Sequence, residues 1–425
     1  MDFKRVYFAD TFRRLRACCV LLICITVSGE GMAQQLEREN TVADRARPGL
    51  DADGMPLGGF RLFPAVGLGL VHNDNVFATK EMQQSDTATL LQPELRLTSE
   101  SSRHRAAIGA EADFARYSDF DGEDYDDFDI YAEGGFEIGN GRLQAELRHS
   151  DKHEERTSAD DARGIEPTEF TLDKIAGSYT WKPGRWIAKV DGGYRKFEFD
   201  DTATLTAPIS NADRDRNASE LGLRLAREMS PNYALYAEAK AKQIEYDQQL
   251  DRNGFERSSD GFSAVVGALL DFSGQTFGEV FAGYLRQDYD DARFGTADGP
   301  TFGGKVTWNI TGLTTLIFSG RRGIDSTTIV GASGIETTEF GFRADHELLR
   351  SLVLNLDLSL GNEDFEGIDR DDDVKSLLLG GKYFMNRYLK LEFGYLYRDR
   401  DTSPANSGGR EFEVSQYFLR LVGQL

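Results

Sequence analysis

A row of leucines separated by mostly polar residues runs through the stretch SLVLNLDLSLGNED, residues 351–364. The leucines occupy positions 352, 354, 356, 358 and 360. Because this alternation has a period of two residues, all five side chains would point to one face of a β-strand. The pattern predicts a strand with one apolar face, which is typical both of a half-buried sandwich strand and of a lipid-facing barrel strand.

The connections between such segments distinguish the two architectures. From residue 60 onward there are about 18 alternating segments, each close to the length of a tilted membrane strand. Tight turns are predicted at 99–102, 139–141, 182–185, 229–232, 272–275, 310–313, 348–351 and 385–387. Long polar segments lie between them, among them 72–86, 118–127, 151–167, 200–217 and 399–411. Eight short turns and nine long loops predict an all-β, antiparallel, up-and-down transmembrane β-barrel with both termini in the periplasm.

Charged residues recur on one face of several predicted strands. In NYALYAEAKAK, residues 232–242, one glutamate and two lysines lie opposite a face of tyrosine, leucine and alanine. Three charges in one strand are too costly to face lipid, so this face is predicted to line a hydrated lumen of mixed charge. The candidate lumen residues are Arg224, Lys240, Lys242, Lys390, Glu392, Arg398 and Arg420.

The N-terminal residues have the pattern of a secretory signal peptide. Five basic residues precede the apolar run ACCVLLICITVSG, which is too short to span a bilayer, and small residues follow at Gly31 and Ala33. We therefore predict a cleaved signal peptide at 1–33, a flexible periplasmic segment at 34–59 and the barrel at 60–425. All three cysteines, at positions 18, 19 and 24, would leave with the signal peptide, so no cysteine nucleophile or disulfide is predicted in the mature chain.

The charge of the chain argues against a nucleic-acid partner, and its hydropathy argues against helical membrane spans. Residues 1–33 contain five basic and three acidic residues, so their removal lowers the formal net charge from −22 to −24. A nucleic-acid partner requires a basic face, which such a chain does not have. No apolar run of 18 residues occurs, so helical spans are not predicted and a barrel is the remaining way to cross a membrane.

Candidate chemistry is sparse, and no enzyme activity, cofactor or metal site is predicted. His149, Ser150 and Asp151 have the residue types of a catalytic triad, but neighbours in a strand point to opposite faces and cannot converge. The acidic runs at 119–129 and 369–373 do not match the spacing of a calcium-binding loop. We interpret them as solvated loop acid, with divalent-cation bridges to lipopolysaccharide left open.

Two parts of the sequence resemble known outer-membrane proteins. The last strand, EFEVSQYFLRLVGQL, resembles the C-terminal signal read by the barrel assembly machinery, although Leu425 stands where an aromatic residue is usual. The opening segment contains DNVF at 74–77, followed by Asp86 and Pro93, and resembles the outer-membrane β-barrel family described as putative β-barrel porins. The resemblance covers about residues 60–425.

The resemblance implies a function that the residue pattern does not supply. Members of that family are commonly encoded with exopolysaccharide or capsule synthesis systems, and some are thought to complete a periplasmic polysaccharide export protein. This implies an outer-membrane pore for polysaccharide export, with outer-membrane lipid, lipopolysaccharide and such an export protein as partners. The alternative is a passive diffusion porin or a surface-structural barrel. Because no loop has an obvious apolar anchor that folds inward, as in a general porin, the sequence favours export.

Overall fold

The computed structural model describes residues 41–101, 103–272, 274–405 and 407–425, and almost all of its regular structure is antiparallel β-sheet. One short strand, β1, precedes eighteen long strands, β2 to β19. Their bounds are β1 Met55–Leu57, β2 Phe60–Asn73, β3 Asp86–Ser99, β4 His104–Tyr117, β5 Tyr125–Ile138, β6 Gly141–His153, β7 Glu169–Trp181, β8 Trp186–Phe199, β9 Arg216–Ser230, β10 Tyr233–Tyr246, β11 Ser259–Phe272, β12 Thr276–Tyr289, β13 Ala297–Thr311, β14 Thr314–Asp325, β15 Ile335–Leu349, β16 Leu352–Phe365, β17 Asp371–Phe384, β18 Leu389–Ser403 and β19 Phe412–Gln424. A single turn of 3₁₀ helix lies at Asp121–Glu123.

The eighteen long strands close into one ring. Each strand pairs with its neighbours in the chain, and β19 pairs with β2 from Gln416 opposite Asn73 to Gln424 opposite Ala65. Closure leaves no free sheet edge, which is the condition for a sheet to cross a bilayer. The predicted fold class, an all-β antiparallel up-and-down barrel of about 18 strands, is therefore confirmed.

The leucine row of β16 lies on the outside of this ring. Leu358 and Leu360 are 40% and 60% exposed, whereas the alternate residues Val353 and Asn355 point inward and are buried. The outer face of the neighbouring strands is also apolar, with exposed Phe340, Leu379 and similar residues. This face meets lipid in a membrane barrel.

Connections at the two ends of the barrel differ in length as the sequence predicted. One end, the short-turn end, has eight connections of two to four residues, at 100–103, 139–140, 182–185, 231–232, 273–275, 312–313, 350–351 and 385–388. Gly139 and Gly184 have φ values of 59° and 67° there, a left-handed conformation that favours glycine. The other end, the long-loop end, has nine loops, at 74–85, 118–124, 154–168, 200–215, 247–258, 290–296, 326–334, 366–370 and 404–411.

The chain before the barrel is only partly described. The predicted signal peptide, 1–33, and residues 34–40 lie outside the described residues. Residues 41–54, the N-terminal segment, contact the short-turn end of the barrel, and β1 pairs with the start of β2. These contacts give residues 41–54 a defined conformation that the sequence did not predict. The flexibility predicted for residues 34–59 stays a prediction. Among the described residues, no helix is long and apolar enough to cross a membrane.

Candidate functional site in the lumen

The seven charged residues predicted to line the lumen all lie on the inner face of the barrel. Arg224, for example, is 7% exposed, while Leu223 and Leu225 on either side are 59% and 51% exposed on the outer face. The same alternation along β10, β18 and β19 turns the others inward, namely Lys240, Lys242, Lys390, Glu392, Arg398 and Arg420. Their role in lining a transport path stays a prediction.

Four of the inward charges form a network across the seam where β19 meets β2. Glu392 accepts a hydrogen bond from Arg420 Nε at 2.9 Å. The ammonium groups of Lys382 and Lys390 lie 3.4 Å and 3.7 Å from the second carboxylate oxygen of Glu392. Arg420 also donates to Gln92 of β3, so the network joins the last strands to the first. Lys382 and Gln92 were missed by sequence reasoning, although the alternation in β17 and β3 places both on the inner face.

The wall formed by β9 to β12 also carries matched charges. Arg224 donates to Glu238 at 2.5 Å and to Glu279 at 3.0 Å. Lys240 lies 3.1 Å from a carboxylate oxygen of Glu220. Cations and carboxylates of the wall therefore neutralise one another, and the lumen has mixed charge without a large excess of either sign here.

A long loop from the opposite side of the ring crosses this lumen. Loop 3, residues 154–168, leaves the barrel between β6 and β7. In the ring of eighteen strands, β7 lies nine strands away from β16 and is therefore opposite to it. Ala159 of loop 3 nevertheless packs against the apolar cluster that contains Ile335 of β15 and Phe365 of β16. The loop consequently spans the barrel from one wall to the other.

The first charged anchor of loop 3 is a buried ion pair. Glu154 is fully buried and accepts hydrogen bonds from both terminal nitrogens of Arg214, at 2.8 Å and 2.7 Å. Burial by itself would lower the pKa of Arg214, but the Glu154 carboxylate raises that pKa above its ordinary value. The fork of Arg214 thus fixes both the position and the orientation of the loop at its start.

Other anchors connect loop 3 to four further parts of the barrel. They are Arg398 Nη1 to Glu155 Oε2 at 2.9 Å, Arg156 Nε to Glu123 Oε2 at 2.9 Å, Arg410 Nη1 to Asp161 Oδ2 at 2.7 Å, and Thr327 Oγ1 to Asp160 Oδ1 at 2.7 Å. Among the predicted lumen residues, Arg398 is therefore the one that holds the loop rather than only the wall.

The sequence-based expectation that no loop folds inward is wrong. Loop 3 is held mainly by acid–base pairs, and its apolar contact is small, through Ala159. The search for an apolar anchor therefore could not find it. The available signal was the mixture of acids and bases in EERTSADDAR, residues 154–163, which lies within the segment predicted only as a long polar loop.

Cavities lie on both sides of loop 3. A cavity of about 110 Å³ lies between the loop, the β2–β5 wall and the β18–β19 wall, and is lined in part by Val71, Gln92, Tyr117 and Phe418. A second cavity, of about 70 Å³, lies on the other side of the loop beside Arg216. A third, of about 420 Å³, opens between loop 3, loop 1 (74–85) and loop 9 (404–411).

Residues 47–425 match the model of the family described as Putative beta-barrel porin 2. This chain belongs to that family. Its members are outer-membrane β-barrels of porin type, so this β-barrel porin is an outer-membrane protein. Neither the match nor the lumen links this porin to a polysaccharide export system.

Comparison with other proteins adds only distant likenesses to this porin. No curated protein matches the chain. OccK1 (OpdK) from Pseudomonas aeruginosa is 12% identical over 87% of this chain and 99% of its own, with a TM-score of 0.47. OccAB3 from Acinetobacter baumannii is 10% identical over 87% of this chain and 100% of its own, with a TM-score of 0.45.

Proposed function

We propose that this porin is a channel for passive diffusion of small hydrophilic solutes across the outer membrane, with its short-turn end in the periplasm. The observation that carries the proposal is loop 3, which crosses the lumen and is fixed on both sides by buried contacts. Such a loop limits the cross-section while leaving spaces beside it, which suits a filter for small solutes.

A polymer is a less suitable cargo for the same reason. A polysaccharide strand needs one continuous lumen, so loop 3 would have to leave its position. Release would break the buried pair of Glu154 and Arg214, and leaving one partner of a buried ion pair alone costs about 3–5 kcal/mol. Within the part of the lumen that the structure describes, no contact supports the export function expected from the family resemblance.

The charge pattern indicates which solutes would pass. Along the wall, Arg224 is paired with Glu238 and Glu279, and Arg420 with Glu392. One source of ion selectivity in pores is a ring of charged side chains of one sign, and a wall of matched pairs lacks that feature. We therefore expect neutral polar solutes such as small sugars to pass, with weak preference for either sign of ion.

Liposome swelling with the purified full chain tests the proposal. Liposomes that contain the protein should swell in solutions of monosaccharides and should remain unchanged in solutions of a large dextran. In cells, deletion of the gene should slow uptake of small sugars and leave surface polysaccharide at its normal amount. Loss of surface polysaccharide with unchanged sugar uptake would contradict diffusion and favour export.

A further inference from the structure

The N-terminal segment, residues 41–54, lies inside the mouth of the barrel at the short-turn end. Val42 is fully buried and packs against Val353 of β16 and Phe384 of β17, both on the inner face. Its backbone N–H donates to Thr315 Oγ1 of β14 at 2.9 Å. Since these partners point into the lumen, the segment occupies space within the mouth rather than on the outside of the barrel.

Arg47 holds this segment together and attaches it to the wall. Its guanidinium is 2% exposed and donates to the carbonyl oxygens of Val42, at 2.6 Å, and of Arg45, at 3.1 Å. One terminal nitrogen lies 3.4 Å from a carboxylate oxygen of Glu347 in β15. The same guanidinium lies 5.1 Å from the ring centroid of Phe384, close enough for a cation–π contact.

Further contacts attach the segment to three of the short turns. Arg45 donates to the carbonyl of Gly312 in the β13–β14 turn. Arg350 of the β15–β16 turn donates to the Pro48 carbonyl at 3.0 Å. Farther along the segment, Arg387 of the β17–β18 turn donates to Asp53 at 2.7 Å. The segment therefore lies against β14 to β17, four of the eighteen strands.

We propose that residues 41–54 form a second constriction of the channel at the short-turn end, and that Arg47 is the residue that positions it. This inference rests on the proposed diffusion function. Loop 3 would restrict the lumen near the long-loop end, and the N-terminal segment would reduce the opening through which solutes leave at the other end.

Single-channel conductance of the full chain in planar bilayers tests the second constriction. Arg47→Ala and, separately, deletion of residues 41–54 should each raise conductance about 1.5-fold, because the segment covers about a quarter of the ring at that mouth. Arg47→Lys should give a smaller increase, since lysine keeps the charge but not the fork. The matched control is Arg286→Ala, because Arg286 is paired with Asp288 on the outer face of β12.

A cysteine pair controls for misfolding of the Arg47→Ala variant, because oxidation that restores the wild-type conductance shows that the barrel is folded. The sequence has no cysteine beyond position 24, so Val42→Cys together with Val353→Cys places the only thiols of the barrel in one packed cluster. The oxidised pair should give the low conductance of the wild-type protein, and in the Arg47→Ala background oxidation should reverse the increase. Reduction should restore the larger conductance of that background.

The outcomes separate this inference from the proposed function. In the first outcome, the wild-type protein conducts and release of loop 3 raises its conductance, but the folded Arg47→Ala and deletion variants conduct as the wild type does. The second constriction is then wrong and the diffusion function stands. If neither the wild-type protein nor any variant conducts, both proposals fail. If only the variants without the N-terminal segment conduct, the second constriction is supported and open diffusion in the resting protein is contradicted.

Discussion

Within the described chain, two pieces enter the lumen of this barrel, and they are held there by different forces. Loop 3 enters from the long-loop end and is held by ion pairs with four separate parts of the barrel and by a hydrogen bond with a fifth. Ala159 supplies a small apolar contact. The N-terminal segment enters from the short-turn end and combines one buried arginine with apolar packing of Val42 on Val353 and Phe384. A polar loop can therefore narrow a hydrated lumen with charged contacts as its main attachment. A short chain that lies on apolar inner residues also uses the hydrophobic effect.

Release of loop 3 should have the largest effect. Arg214→Ala combined with Arg398→Ala removes two anchors from opposite walls, so the loop should leave its central position and conductance should rise about two-fold or more. Planar-bilayer recordings measure this, with Arg286→Ala on the outer face as the control. An unchanged conductance in a folded double variant would remove the basis for calling loop 3 the main constriction.

Glu154→Gln tests whether the ionic anchor of loop 3 is stronger than that of the N-terminal segment. It leaves Arg214 buried without its carboxylate, at a local cost of about 3–5 kcal/mol. Trypsin should then cleave the loop after Arg163 in the folded barrel. Glu347→Gln should have a smaller effect on cleavage after Arg45, because Arg47 keeps its bonds to two backbone carbonyls and still holds the segment. Equal protease sensitivity of the two variants would contradict the claim that the ionic anchor is stronger in loop 3 than in the N-terminal segment.

Val353→Ala tests the apolar contribution to the N-terminal segment. Loss of two buried methyl groups should weaken the contact by about 1–2 kcal/mol. With a reporter thiol at Leu50→Cys, labelling by a reagent supplied from the short-turn side should become about ten-fold faster, since about 1.4 kcal/mol corresponds to a factor of ten. Labelling that stays equally slow would show that packing on Val353 does not hold the segment.

Leu360→Ala should have the smallest effect. Leu360 is 60% exposed on the outer face and contacts neither piece of chain in the lumen. Conductance should equal that of the wild type within measurement error, because the substitution changes only surface that faces lipid. A clear change would mean that the outer and inner faces are coupled, which the strand alternation does not predict.

The barrel was predictable because its signals are local. Alternation within one strand indicates which face is apolar, and the lengths of connections indicate which end is which, so the leucine row of β16, the eight turns and the inward charges of β9, β10, β18 and β19 followed from the sequence. Arg398 was correctly placed on the inner face, but its partner Glu155 is 243 positions away in the chain.

The two segments inside the lumen were not predictable, because local signals do not show contacts between residues that are distant in the chain. Glu347 lies 300 positions from Arg47, and a polar segment punctuated by proline and glycine gives no local sign of such a contact. Runs of charged residues are usually solvated, so the acids and bases of loop 3 gave no sign of buried partners. Only closure of the ring places β7 opposite β16, and closure thereby supplies the partners that bury the charged residues of loop 3.

A reversible cross-link of loop 3 to the far wall tests the central claim most directly. Ala159 of loop 3 and Ala332 of loop 7 (326–334) belong to one apolar cluster, so Ala159→Cys and Ala332→Cys should form a disulfide in the folded, membrane-inserted protein. In the Arg214→Ala and Arg398→Ala background, oxidation should return the raised conductance to the wild-type value, and reduction should raise it again. If the disulfide forms and conductance does not change, or if the thiols never meet in the folded barrel, loop 3 does not constrict this channel.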